Sequence, residues 1–313
     1  MGGRFLFALL LVPAWPAAAA EQQVTLPSTP GALYGTLLSS GTAGPAILMI
    51  AGSGPTDRDG NSQAGLRTDS YKLLAEGLAA KGITSLRVDK RGIAQSSAAG
   101  PAEIDLRFQT YADDAKAWAA ELRRRTGLSC VWLLGHSEGA LVAEVAAQDA
   151  RGICGLALIS GAGRKASDVL RIQMGPQLPD PLKQQAFDTI AQLEKGQLVP
   201  NPPPELMALF RPSVQPYLIS WFAIDPASLL SKVKLPVLIL QGNTDIQVSV
   251  EDAKLLAAAK PDAKLVILDG VNHVLKSAPA ARAANVATYS DPHLPLAPGV
   301  ADAVADFVQG HKP

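Results

Sequence analysis

Cysteine is nearly absent, at two residues in 313, and histidine is scarce, at four. So few cysteines exclude a small disulfide-knit scaffold, and their spacing with the histidines gives no zinc-type ligand set. Neither a metal nor a cofactor is expected. Net charge is missing too, because 28 Lys and Arg balance 28 Asp and Glu. With no basic run, that balance excludes electrostatic capture of nucleic acid or of an anionic membrane surface. Beyond residue 20 no apolar run approaches the ~20 residues of a membrane span, so stable membrane insertion is not expected. Internal repeats and low-complexity linkers are lacking as well. Aromatic residues make up only 5% of the chain, yet hydrophobic residues reach 48%. A chain of this length and composition buries a sizeable core as one large domain or two small ones.

The first twenty residues stand apart. Arg4 precedes an apolar run from Phe5 to Val12, and Ala18, Ala19 and Ala20 precede polar Glu21. This is the layout of a secretory signal peptide over residues 1–20, cleaved after Ala20. An uncleaved anchor is the alternative, but the apolar core is short and is broken by Pro13 and Pro16. Export places the mature chain, 21–313, in the periplasm or outside the cell. Oxidising surroundings make Cys130 and Cys154 of interest. Each sits beside a short apolar run, and if the two runs are neighbouring parallel strands, a disulfide between them is expected.

Short apolar runs alternate with segments of helical period. "QQVTLP" and "ALYGTLL" read as an opening hairpin. "PAILMIAGSG", "ITSLRVDKRG", "CVWLLG", "GLALISG", "KLPVLILQG" and "AKLVILDG" read as strands, with amphipathic helices between several of them. The fold class expected is α/β, a mostly parallel doubly wound sheet covered on both faces. Residues 164–230 break this rhythm, with prolines from Pro176 to Pro216 and helical fragments between them. So long a segment between two strands reads as an inserted helical cap. Its apolar residues Leu206, Met207, Phe210, Tyr217, Trp221 and Phe222 pack it onto the body, with one or two left to line a pocket.

The stretch Gly135-His136-Ser137-Glu138-Gly139 lies between a buried strand and a helix. This is G-x-S-x-G in the context its chemistry needs. A nucleophilic serine sits on a tight strand-to-helix turn, glycines two residues away avoid collision, and a helix N-terminus favours developing negative charge. A base is required. His136 is inside the turn and is expected to point away from its neighbour. His311 is in the tail, His293 is in a proline-rich loop, and His273 follows the last strand, where a loop returns to the top of the sheet. His273 is the best base and His293 the second choice. Asp245, just beyond a strand end, is the candidate acid that orients it. Asp269 is the alternative, while Asp252 reads as a solvated helix charge. The chain order Ser137, Asp245, His273 is that of this hydrolase type. Two backbone amides are needed for an oxyanion, and those of Ser53 and Glu138 are the candidates. Asp57, Arg58 and Asp59 are expected to pair among themselves at the rim.

Together these motifs resemble the α/β-hydrolase superfamily over essentially the whole mature chain. "GSGPTDRDGN" resembles more narrowly a group of bacterial esterases related to the serine aminopeptidase-like hydrolases. "DKRGIAQS", residues 89–96, is similar to their D-x-R-G-x-G-x-S segment, with Ala94 in place of the second glycine, and "SDPHLPLAPGVADAVADFV" is similar to their ending. Ala51 stands where lipase-type loops carry a histidine. The resemblance implies an α/β-hydrolase fold with a cap, a Ser137–His273–Asp245 triad, an oxyanion hole at Ser53 and Glu138, and hydrolysis of a small-molecule carboxylic ester. A peptidase or amidase on the same scaffold is the first rival, needing an acidic pair in the cap. Asp180, Asp188, Glu194, Glu205 and Asp225 are available for it. A non-catalytic binding protein is the second.

Overall fold

The computed structural model describes residues 20–311. Apart from Ala20, the expected leader lies outside the described residues. Ala20 itself opens the first strand, so cleavage after it removes one residue of β1 (Ala20–Leu26). β1 pairs antiparallel with β2 (Leu33–Ser39), the hairpin expected from sequence. The other strands are β3 (Ala46–Ile50), β4 (Thr84–Val88), β5 (Val131–His136), β6 (Ile153–Ile159), β7 (Val237–Gly242) and β8 (Lys264–Leu268). They form one eight-stranded sheet in the order β1-β2-β4-β3-β5-β6-β7-β8, parallel from β4 onward. Every residue of β3, β4, β5 and β7 is buried, which explains the apolar runs of β3, β5 and β7, while β4 also buries Thr84, Ser85 and Arg87. This is an α/β-hydrolase architecture.

Helices cover both faces. α1 (Ser70–Ala80) and the closing helix pack one face through Leu74, Leu78, Val304 and Phe307. α2 (Phe108–Thr126), α3 (Glu138–Ala146) and a helix near the C-terminal strands pack the other through Phe108, Trp118, Leu141 and Leu256. α2 ends as its sequence suggests, with Arg123, Arg124 and Arg125 in the last turn and Gly127 at φ 71° beyond it.

Between β6 and β7 the chain forms α4 (Ala166–Met174), α5 (Leu182–Glu194), α6 (Met207–Phe210), α7 (Gln215–Phe222) and α8 (Pro226–Leu230), the helical insertion. Its prolines interrupt or open helices, as at Pro216 and Pro226 in the first turns of α7 and α8. Gln215 is fully buried, and its side-chain amide accepts from the Val199 N–H at 2.8 Å and donates to the Val199 carbonyl at 2.7 Å. Trp221 stacks on Phe108 and so ties the insertion to α2. The remaining helices are α9 (Val250–Ala259), α10 (Arg282–Ala287) and α11 (Val300–Gly310).

Cys130 and Cys154, at the starts of the neighbouring parallel strands β5 and β6, form a disulfide with Cα atoms 5.2 Å apart. They are 24 residues apart, and closing such a loop stabilises the fold by about 3 kcal/mol. Ala94, at the one departure from the D-x-R-G-x-G-x-S pattern that residues 89–96 resemble, adopts φ 47°. The position therefore demands a left-handed backbone that alanine tolerates only with strain.

One buried acid makes stability depend on pH. Glu144 on α3 is 1% exposed, and its Oε2 has no hydrogen-bond partner. Burial first, and then the nearby charge of Asp225, raises its carboxyl well above the ordinary range. The folded form thus keeps a proton that the unfolded chain releases. Its contribution is full below the unfolded carboxyl value and is lost as pH rises toward the folded one, at about 1.4 kcal/mol per unit. Glu144→Gln is expected to match wild type near pH 4 and to exceed its stability at pH 8 in urea titrations. Parallel stability–pH curves for the two proteins would refute this.

Candidate active site

Ser137 occupies the turn between β5 and α3 with φ 54° and ψ −120°. Such a conformation in a non-glycine residue costs on the order of 1–3 kcal/mol and is held by its surroundings. The flanking glycines make it possible. A Cβ at Gly135 would stand 2.1 Å from the carbonyl oxygen of Gly139, and one at Gly139 would stand 2.3 Å from that of Ile50. The Ser137 amide donates to the Ile159 carbonyl at 2.9 Å, tying the turn to β6.

Asp245 follows β7 and His273 follows β8, so the parallel sheet delivers both to its carboxyl edge. His273 Nδ1 lies 2.8 Å from Asp245 Oδ2. The other carboxylate oxygen accepts the amides of Gln247 and Val248 at 2.8 and 3.0 Å. Burial opposes the Asp245 charge, but the His273 imidazole and those two amides outweigh it and hold the carboxyl below its usual range. A buried net fixes the His273 loop. Asn272 Nδ2 donates to Thr288 Oγ1 at 2.7 Å and to Asn285 Oδ1 at 3.2 Å, and Asn285 in turn donates to the Thr244 carbonyl. Ser137 and His273 face one small cavity of about 100 Å³.

The alternatives fall elsewhere. His293 is exposed, with its amide on Asp291. Asp269 is exposed and accepts from Asn243 at 2.7 Å. Asp252 corrects the sequence reading of a solvated charge. It is 4% exposed, completes a capping box with Ser249, and pairs with Arg164 at 2.8 Å. Its position at the third residue of α9 turns it back onto the helix start. The Asp57–Arg58–Asp59 cluster is also corrected. Arg58 is buried and binds Asp89 Oδ2 at 2.5 Å, while Asp59 meets Arg87 at 3.1 Å. These side chains tie the loop after β3 to β4 instead of pairing at the rim.

His136 does turn from Ser137, but toward a contact that sequence gave no signal for. Its Nε2 lies 2.8 Å from the carbonyl oxygen of His273 and its Nδ1 lies 2.8 Å from Tyr71 Oη. A carbonyl only accepts, so Nε2 carries the proton and Nδ1 accepts from the tyrosine. Burial, reinforced by the charge of His273, lowers the His136 value to about 3, so the ring is neutral. Tyr71 Oη accepts the Gly52 amide at 3.1 Å, and the Gly52 carbonyl accepts from Lys90 Nζ at 2.6 Å.

Ser53 and Glu138 both line a larger cavity of about 490 Å³, which Ser137 also borders and the insertion helps to wall. Leu141, Leu170, Leu209, Val214, Tyr217 and Trp221 make its walls largely apolar. Of the cap residues singled out from sequence, Tyr217 and Trp221 reach it. Leu206, Phe210 and Phe222 are buried in packing, and Met207 is exposed. A wider surface groove of about 950 Å³, bounded by Asn61, Arg67 and Pro292, does not include Ser137. No group of three or more metal-ligating side chains occurs among the described residues. No described helix is long and apolar enough to cross a membrane.

Comparison with known proteins agrees with this architecture. Residues 65–201 match the family described as serine aminopeptidase, S33. The chain is 27% identical over 265 residues to esterase EstD of Thermotoga maritima, a match covering 84% of this chain and 61% of that protein. Est1E of Butyrivibrio proteoclasticus, solved with ferulic acid, superposes with a TM-score of 0.59 at 17% identity, over 92% of this chain and 96% of that one. The Pyrococcus furiosus esterase Pf2001 superposes with a TM-score of 0.58 at 16% identity, over 99% of both chains.

Proposed function

We propose, from the premise that this chain is an α/β-hydrolase, that it is a serine carboxylic-ester hydrolase working through an acyl-enzyme. The observation that carries the reading is the strained serine turn sharing a cavity with an imidazole already bonded to a buried carboxylate. Ser137 attacks the ester carbonyl while His273 Nε2 takes its proton. Asp245 holds the imidazole and stabilises its cation. The amides of Ser53 and Glu138 receive the oxyanion. The alcohol leaves with the proton from His273, and water releases the acid by the reverse steps. The esterases among its relatives support this, and the disulfide and the apolar leader sequence support export to the periplasm or beyond.

The cavities suggest how the substrate divides. His273 must reach the departing alcohol, so the alcohol occupies the small cavity that His273 lines. The acyl chain then takes the larger apolar one. Glu138 is the one carboxylate lining that larger cavity, and Lys90 stands 3.8 Å from it. None of the five acids considered for an exopeptidase lines that cavity: Glu194 pairs with Arg171, Asp180 with Lys183, Asp188 with Gln184 and Asp225 with the start of α8, while Glu205 is exposed. A free amino group thus finds no unpaired acid there. Methyl octanoate should be hydrolysed about tenfold or more faster in kcat/KM than its isomer heptyl acetate, and aminoacyl amides more slowly still. Preference for heptyl acetate would reverse the division of the site, and preference for the amides would replace esterase by peptidase.

A further inference from the structure

We infer that Lys90 and Tyr71 are positioning residues that pin the Gly52 peptide groups from both sides and so aim the Ser53 N–H at the oxyanion. The inference rests on the reading of Ser137 as nucleophile. Lys90 lies in the D-x-R-G-like segment just past β4, which neighbours β3. Gly52 lies two residues past the end of β3. Adjacent parallel strands therefore bring the lysine beside the oxyanion loop, where its Nζ reaches the Gly52 carbonyl at 2.6 Å.

The peptide between Gly52 and Ser53 is a rigid plane whose C=O and N–H point in opposite directions. Fixing the carbonyl on Lys90 therefore fixes the Ser53 N–H on the far side, where Ser53 lines both cavities with Ser137. The preceding peptide is fixed as well, because the Gly52 N–H is spent on Tyr71 Oη. It is thereby withdrawn from competing for the substrate oxygen. The backbone here runs close to the serine turn: a Cβ on Gly52 would lie 3.1 Å from Ser137 Cβ and 3.3 Å from His136 Nδ1, tighter than side chains ordinarily pack.

Each anchor is itself anchored. Lys90 is buried, with Nζ 3.8 Å from Glu138 Oε1 and 5.5 Å from the centroid of the Tyr111 ring. Burial lowers its affinity for a proton, against the pull of Glu138. Glu138 contributes the second oxyanion amide, so one lysine touches the backbone before one donor and the side chain of the other. Tyr71 is held by His136, and His136 by the carbonyl of His273. The directions run without conflict: Lys90 to Gly52, Gly52 to Tyr71, Tyr71 to His136, His136 to His273. The strap thus joins the oxyanion loop to the loop of the base.

The test compares wild type, Lys90→Met, Lys90→Arg and Tyr71→Phe. The readouts are kcat and KM on methyl octanoate, inhibition by a trifluoromethyl ketone that binds as an oxyanion, and fluorophosphonate labelling. Removing an oxyanion donor outright costs about 10²–10³ in kcat, so misaiming one should cost roughly 10–100-fold. Lys90→Met is expected to lose that much in kcat, with KM within about threefold and ketone affinity falling in parallel. Lys90→Arg should recover part of it. Tyr71→Phe, which removes one oxygen, should show a smaller loss of the same kind and carries the test if Lys90→Met does not fold. Folded variants with wild-type kcat and ketone affinity, or a loss confined to KM, would overturn the positioning role while labelled wild type leaves Ser137 in place. Wild type that takes up no fluorophosphonate would remove the nucleophile, and this inference with it.

Discussion

Ser137→Ala is expected to lower ester hydrolysis by about 10⁴-fold or more and to abolish fluorophosphonate labelling, with little change in stability. The size follows from what the residue supplies. Without Oγ no acyl-enzyme forms, and the oxyanion amides with substrate binding leave only a residual acceleration over water. The fold should tolerate the change well. The positive φ of Ser137 is imposed by β5, α3 and the close approach of Gly139 to Ile50, and alanine meets the same strain. Labelling in gel, together with thermal melts of both proteins, checks the prediction. Labelling that survives the substitution would place the nucleophile elsewhere.

The features that proved legible in the sequence are those in which local geometry leaves little choice. Gly135 and Gly139 could be read because a Cβ at either collides with backbone, so the spacing itself encodes the turn. Asp245 and His273 could be placed because parallel strands end on one edge, whatever the details of their loops. The cap was visible as an interruption of the strand–helix rhythm, with helical fragments but not every helix within it. Its short helices α6 and α8 are four and five residues long, little more than one turn each, so no helical period repeats in their sequence. Long-range polar partnerships were not legible. Nothing near His136 signals that it reaches the carbonyl of a residue 137 positions away. Arg58 sits between two acids in sequence, and pairing with them was the natural reading. The fold instead offers it Asp89, buried across the neighbouring strand. Asn272, Asn285 and Thr288 are ordinary loop residues in sequence and fully or largely buried in the structure. In each case the partner is chosen by tertiary burial, because a buried polar group without one is costly.

Asp245→Asn is expected to lower kcat by about 10⁴-fold with little effect on the fold, and the surrounding hydrogen bonds say why. Asp245 Oδ1 accepts two backbone amides, from Gln247 and Val248, and those donors cannot turn away. An asparagine must therefore keep its oxygen on them and present its NH₂ group where Oδ2 now meets His273 Nδ1. Facing a donor, Nδ1 must accept, so the ring proton moves to Nε2. That is the nitrogen that has to take the proton of Ser137, and in this tautomer it is already occupied. The substitution thus disables the base by fixing it the wrong way round, with geometry and volume preserved. Single-turnover kinetics should place the loss in acylation, since proton abstraction from Ser137 comes first. A variant within tenfold of wild type would mean that Asp245 does not set the tautomer of His273, and the carboxylate that does would have to be sought at another position.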